Sequence, residues 1–135
     1  MPKRYLLDTD ILSQFISRPD GAVASKINEL PDGSIYTSIV VACELRFGAV
    51  KRGRAQLSQR VDQCLNSVEV LALEPGVDRV YGQLRAALEK SGRPIGGNDL
   101  LIAAHALSAG LVLVTHNTAE FRRVPKLAVE DWLQA

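Results

Sequence analysis

Acidic residues recur in this chain where a purely structural design has little use for them. Asp8 directly follows the apolar run Tyr5-Leu6-Leu7, with Asp10 two residues further on. In an open parallel sheet, ligand chemistry gathers at the carboxyl ends of strands, and Asp8 stands at such an end. Asp8 or Asp10 would equally serve as an N-cap for the helix that follows. Glu44 lies within Ile39–Gly48, where Val40, Cys43, Glu44 and Phe47 share a face and Val41 and Leu45 occupy the other. That pattern predicts a helix apolar nearly all round and mostly buried. An ionised Glu there needs a cation or a hydrogen-bonding partner, or its pKa rises. Asp99 opens the apolar helix after Gly96-Gly97-Asn98 and shares a face with Ile102, Ala103 and Ala106. An Asn98 cap with a dipole-stabilising Asp99 is the structural alternative. Asn117 and Glu120 follow the strand Leu111–Thr115 at the spacing of a capping box, again at a strand's carboxyl end.

Convergence of these acids would have a chemical consequence. Two carboxylates ~4 Å apart repel by about 4 kcal/mol at an effective dielectric of about 20. Three or four together need shared protons or divalent cations. Oxygen-only ligands, without a cysteine or histidine set, select Mg²⁺ or Mn²⁺ over zinc. His105 has no ligand-spaced partner and reads as structural or exposed. An acidic pocket of this kind activates water and stabilises in-line phosphoryl displacement. Without Asp8, Glu44, Asp99 and Glu120 the chain carries +5 rather than its net +1, so the pocket would sit in a mildly basic surface suited to a phosphodiester polyanion.

The elements that must hold these residues follow from periodicity. Strands are expected at Tyr5–Leu7, Ile35-Tyr36, Val68–Leu73 and Leu111–Val114, with an edge strand between Val124 and Trp132. Helices are expected after Asp10, over Ala22–Leu30, from a Ser38 N-cap towards Lys51, through Cys64, from Val77 towards Ser91, and over Asn98–Ser108 before a Gly110 C-cap. Strands alternating with helices predict a single α/β domain over residues 1–135, its sheet mostly parallel and its helices on both faces. At 135 residues such a domain builds a core without staples. Cys43 and Cys64 fit no disulfide framework and read as buried thiols in a reducing compartment. The apolar stretch after Met1 is far too short for a signal peptide, and no run approaches the ~18 residues of a membrane span. The expectation is a soluble cytoplasmic domain with no membrane contact. Aromatic residues are only 5% of the chain, which argues against a base-stacking platform.

Four strings, taken in order, resemble the PIN domain and, within it, the VapC-type toxins of bacterial type II toxin–antitoxin systems. They are Leu6-Leu7-Asp8-Thr9-Asp10-Ile11-Leu12, Ala42–Gly48, Gly92–Asp99 with Ile102–Ala106, and Leu113–Phe121 with Glu130-Asp131-Trp132. The resemblance implies a PIN-like three-layer sandwich and an endoribonuclease that needs Mg²⁺, with Mn²⁺ able to substitute. It implies Asp8, Glu44 and Asp99 as the catalytic acids and metal ligands, with Asn117 at a fourth position that is commonly acidic. Glu120 would assist there through water, and Thr115 and Asp10 would support the site. Asp10 stands where the family usually has Asn. Cleavage in the family leaves a 5′-phosphate and a 3′-hydroxyl and arrests translation. Arg46, Arg93, Arg122 and Arg123 flank the acidic strings as candidate RNA contacts, the alternative for each being a solvated surface charge. The likeness further implies a homodimer and a small antitoxin that blocks the acidic groove in a higher assembly. The Gly92–Gly96 and Thr115–Trp132 strings resemble relatives that cut initiator tRNA.

Two rivals remain at this level. Asp8-Thr9-Asp10 is also a DxD after a strand, as in phosphotransferases of the haloacid-dehalogenase type, but Ile11-Leu12 replaces their usual Gly-Thr. A degenerate PIN scaffold that binds RNA or a partner without cutting is the non-enzymatic reading, supported by Asn117 alone.

Overall fold

The computed structural model describes residues 2–133. Five strands form one sheet: β1 (Tyr5–Leu7), β2 (Ile35–Ser38), β3 (Glu69–Leu71), β4 (Val112–Val114) and β5 (Val129–Glu130). Their order is β3-β2-β1-β4-β5, and every pairing is parallel. Seven helices accompany them among the described residues: α1 (Thr9–Ser17), α2 (Ala22–Glu29), α3 (Ile39–Arg52), α4 (Ala55–Ser67), α5 (Val77–Lys90), α6 (Gly97–Ala109) and α7 (Thr118–Phe121). The first crossovers step from β1 outward to β2 and β3, and the next returns past β1 to β4. With right-handed crossovers, that reversal places α1 to α4 on one face and α5 and α6 on the other. The packing follows: α1, α3 and α4 contact one another, and α5 packs along α6.

The core is built where the apolar periodicity places it. Leu6, Leu7, Leu113 and Val114 from the central strands are fully buried, with Ile11, Leu12, Val41 and Ile102 from the helices and Phe121 from α7. Tyr5 meets Trp132 edge-on at 5.3 Å, which fastens the segment after β5 against β1. Caps set the helix limits. Ser38 accepts from the Val40 N–H at 3.1 Å to start α3, and Gly53 (φ +66°) and Gly110 (φ +68°) end α3 and α6 in the left-handed region that favours glycine.

Three expectations need correction. The third strand is shorter than Val68–Leu73 and only half-buried, because it occupies the sheet edge. Helix α3 is not buried all round. Val41, Ala42, Leu45 and Ala49 face the core, whereas Ile39, Phe47 and Val50 lie in solvent. Cys43 falls on that outer side and is exposed, so only Cys64 is a buried thiol. An apolar residue on a helix reports a core face only if something packs on it, and among the described residues the outer stripe stays exposed, with only the Lys51 ammonium over the Phe47 ring.

Candidate active site

The sheet's order reverses at β1, and the acids assemble at the carboxyl end of that strand. Asp8 is fastened there by its own backbone, whose N–H donates to the Val114 carbonyl at 2.9 Å. It is also the N-cap of α1, its Oδ1 accepting from the Thr9 N–H at 2.8 Å. Its Oδ2 accepts from the Thr115 hydroxyl, also at 2.8 Å, at the end of β4. The structural and the chemical readings of Asp8 therefore both hold. Burial is the largest influence on it and, with the charges of Asp10 and Glu44, pushes its carboxyl up to about 6, although the Thr9 and Thr115 hydrogen bonds oppose the rise.

Glu44 reaches the same place from the second turn of α3. Its partner is the Thr9 hydroxyl, which donates to Oε1 at 2.9 Å, rather than an arginine. Asp99 arrives from the first turn of α6. Asn98 is not the cap expected for that helix: Gly96 holds the cap position, without a side-chain bond, and Asn98 lies exposed in the first turn. Burial first, and then the charges of Glu120, Asp8 and Glu44, push the Asp99 carboxyl up to about 7, and a hydrogen bond with Glu120 acts in the same direction. Four carboxylates from four separate segments thus feel one another's charge.

Asn117 and Glu120 form a side-chain pair instead of a capping box. The Asn117 amide donates to Glu120 Oε2 at 2.5 Å, while its backbone N–H donates to Thr115 Oγ1 at 3.1 Å. The Thr115 hydroxyl takes the Asn117 N–H that a capping box would give to Glu120, which leaves the two side chains to pair. Thr115 is the hub, fully buried and bonded to Asp8 and Asn117 together. Replacing it with Val leaves both without that partner, at a cost of about 1–3 kcal/mol. The variant should unfold at lower denaturant, and its acid limb of activity should move to higher pH because Asp8 loses a bond that favours its charge.

Asp10 accepts the His116 N–H at 3.0 Å, and its Oδ1 is buried without a partner among the described residues. Burial raises its pKa. It therefore holds the turn after β4 and also adds charge beside Asp8. The His116 ring meets Asp131 at 2.9 Å, a contact the sequence left unread. Thr9 was likewise unread as a functional group, though its position between two acids was the available signal. His105 is structural, buried with Nδ1 2.7 Å from the Ser38 hydroxyl and its pKa lowered by burial. Among the arginines, Arg46 is engaged by Asp62 at 2.6 Å. Arg93 and Arg122 are exposed, and Arg123 donates to the Pro94 carbonyl at 3.2 Å.

Residues 5–127 match the PIN domain. The chain belongs to the PIN-domain family. Its relatives there include "Ribonuclease VapC2" of Rickettsia felis, 35% identical over 95% of this chain and 97% of the relative. A "tRNA(fMet)-specific endonuclease VapC" of Shigella flexneri is 37% identical over 96% of this chain and 98% of the relative. Among solved structures, VapBC2 from Rickettsia felis bound to a promoter DNA fragment superposes with a TM-score of 0.89 at 35% identity, covering 95% of this chain and 98% of that one. The PIN match over residues 5–127 sets aside the dehalogenase-type reading of Asp8-Thr9-Asp10.

The donor chemistry fits a hard divalent cation. The acids supply oxygen only, Asp8, Asp10 and Asp99 have raised pKa values, and Asp10 Oδ1 has no partner among the described residues. Among the described residues no three acidic, imidazole or thiol groups close into a ligand cage. They face each other at Coulombic range, which suits an ion that keeps several waters in its shell.

Proposed function

We propose that this chain is the toxin of a type II toxin–antitoxin pair, a PIN-domain endoribonuclease dependent on Mg²⁺ or Mn²⁺. The observation that carries the reading is the convergence of Asp8, Glu44, Asp99 and Glu120 from four segments at the carboxyl end of β1, close enough that burial and the charges of the other three push Asp99 up to about 7. Beyond the α1 cap at Asp8, a fold gains nothing structural by gathering four mutually repelling carboxylates at a strand end. Asp8, Glu44 and Asp99 would hold the cation. When bound, it would neutralise the acids, polarise the scissile phosphate and lower the pKa of water. Thr115 and the Thr9 N–H fix the two Asp8 oxygens, and the Thr9 hydroxyl fixes Glu44. Asn117 orients Glu120, and burial, with the charge and shared hydrogen bond of Glu120, keeps Asp99 partly protonated near neutral pH, which tempers the repulsion. Arg93 and Arg122 are exposed and free to meet RNA, whereas Arg46 must first leave Asp62.

The names of the relatives support RNA as substrate, and the tRNA(fMet)-specific relative makes initiator tRNA the first species to examine. The superposition with a VapBC complex supports a cognate antitoxin as partner. The exposed stripe of Ile39, Phe47 and Val50 is a surface of the sort that a homodimer or larger assembly covers. No helix among the described residues is long and apolar enough to cross a membrane, which accords with action on RNA in the cytoplasm. Purified protein should cut total RNA with Mg²⁺ or Mn²⁺ and not with EDTA, and sequencing of the 5′-phosphate ends should name the site. Metal-independent RNA binding without any cut would favour the scaffold reading instead.

A further inference from the structure

Beside the acids a groove of about 690 Å³ runs between α1, α3 and α4. Thr9 and Glu44 line it beside the acids, Arg52 lines it from the end of α3, Arg54 from the cap position before α4 and Arg60 from the second turn of α4. Glu44 is the one acid among the lining residues. Among the described residues none of the three arginines lies within salt-bridge distance of a carboxylate, although Arg46 and Arg85 on the same protein are paired. All three side chains are exposed, so their guanidiniums are available to an anion that enters the groove. Glu44, Gly48 and Arg52 follow at i, i+4 and i+8, so they share a side of α3. A Cβ built at Gly48 meets nothing within 4 Å, which leaves the groove floor open between the acid and the arginine.

We propose that this groove is an RNA-backbone subsite, in which Arg52, Arg54 and Arg60 hold phosphates on one side of the scissile bond. The inference rests on the nuclease reading above and extends it to residues outside the acidic cluster. From Glu44 to Arg52 is about 12 Å along the helix at its 1.5 Å rise. A helical strand at ~3.4 Å per nucleotide covers that in three or four nucleotides, and an extended one in fewer. The arginines would therefore grip the strand a few nucleotides from the cut and set its direction across the acids. The cationic end matches a polyanion, and the acidic end, once its cation is bound, ceases to repel one.

The test uses Asp99→Asn protein, which keeps the RNA intact, with bulk tRNA and a labelled mixed-sequence single-stranded RNA as probes, in Mg²⁺ over a salt titration. Joint Arg52→Gln, Arg54→Gln and Arg60→Gln should weaken binding at least tenfold near 0.1 M salt. The slope of log affinity against log salt should fall by about 2, since each phosphate contact to a single strand contributes about 0.7. Neutralising exposed Arg79, Lys90 and Arg18 instead should leave the slope unchanged. Gly48→Gln adds a stronger helix former, so the protein should become more heat-stable while RNA binding weakens. An arginine-triple variant that is folded and binds both RNAs with the parental affinity and slope overturns the subsite. If it instead loses only a co-purifying protein partner, the groove belongs to that partner and the RNA assignment fails. Absence of any RNA binding by the parent overturns the subsite and the nuclease reading together.

Discussion

Asp99→Asn should abolish RNA cleavage and, in the same protein, raise the thermal stability of the metal-free state. The two effects have one cause. Asp99 is pushed up to about 7 because burial and three neighbouring carboxylates penalise its charge. Asn keeps the shape and removes the charge that a cation would require. Loss of a group that positions the cation and the reacting water costs about 10³-fold or more in rate. The stability gain reflects the penalty released. Discounted by half for the residue's exposure, that is about 2 kcal/mol at neutral pH, or roughly 5–10 °C for a domain of this size. A residue that merely capped α6 would show the reverse, since removing its charge from a helix's first turn lowers stability. Differential scanning fluorimetry in EDTA beside a cleavage assay in Mg²⁺ reads both signs. A variant that loses activity and stability together would make Asp99 structural and sink the acidic-cluster reading.

How much of this was legible beforehand varies from residue to residue. Asp8 could be placed because an apolar triplet ending in an acid has one natural location in a parallel sheet, and β1 proved to be its central strand. Ser38 and Gly110 announced their caps by residue type alone. Glu44 does lie beside the other acids, but its helix is not the all-round apolar one the pattern predicts. The stripe Ile39, Cys43, Phe47 and Val50 is apolar yet faces solvent, and periodicity cannot tell a core face from an uncovered one. The capping box between Asn117 and Glu120 failed for a different reason. Its spacing is right, but the Thr115 hydroxyl takes the Asn117 N–H, which frees both side chains to pair with each other. Contacts between distant segments, such as Thr9 with Glu44 or His116 with Asp131, carry no local signature at all. They exist only once the sheet order brings β1, β4 and α3 to one end.

The second large effect is a pH-dependent response to metal, measurable without any RNA. Asp8 stands at about 6 and Asp99 at about 7 in the folded protein, and both stand at 3.8 in an unfolded chain. Between those values the native state binds more protons than the unfolded one. Stability contributed by these groups is therefore fully present below about pH 4 and is lost as pH rises through 6 and 7, after which the loss levels off. Buried Asp8 alone accounts for about 3 kcal/mol, on the order of two pKa units at 1.36 kcal/mol each. A divalent cation reverses the trend, because it binds the deprotonated acids and must displace their protons at lower pH. With EDTA, the stability of the protein relative to Asp8→Asn should decline from pH 4 to pH 7.5. With Mg²⁺ at 100 times its dissociation constant, about 2.7 kcal/mol should return at pH 8. Almost none should return at pH 5, where protons hold the site. Denaturant titrations at the two pH values, with Mg²⁺, Mn²⁺ and EDTA, decide the matter. Equal stabilisation at both would show that the cation binds elsewhere on the surface and that the four acids do not form its site.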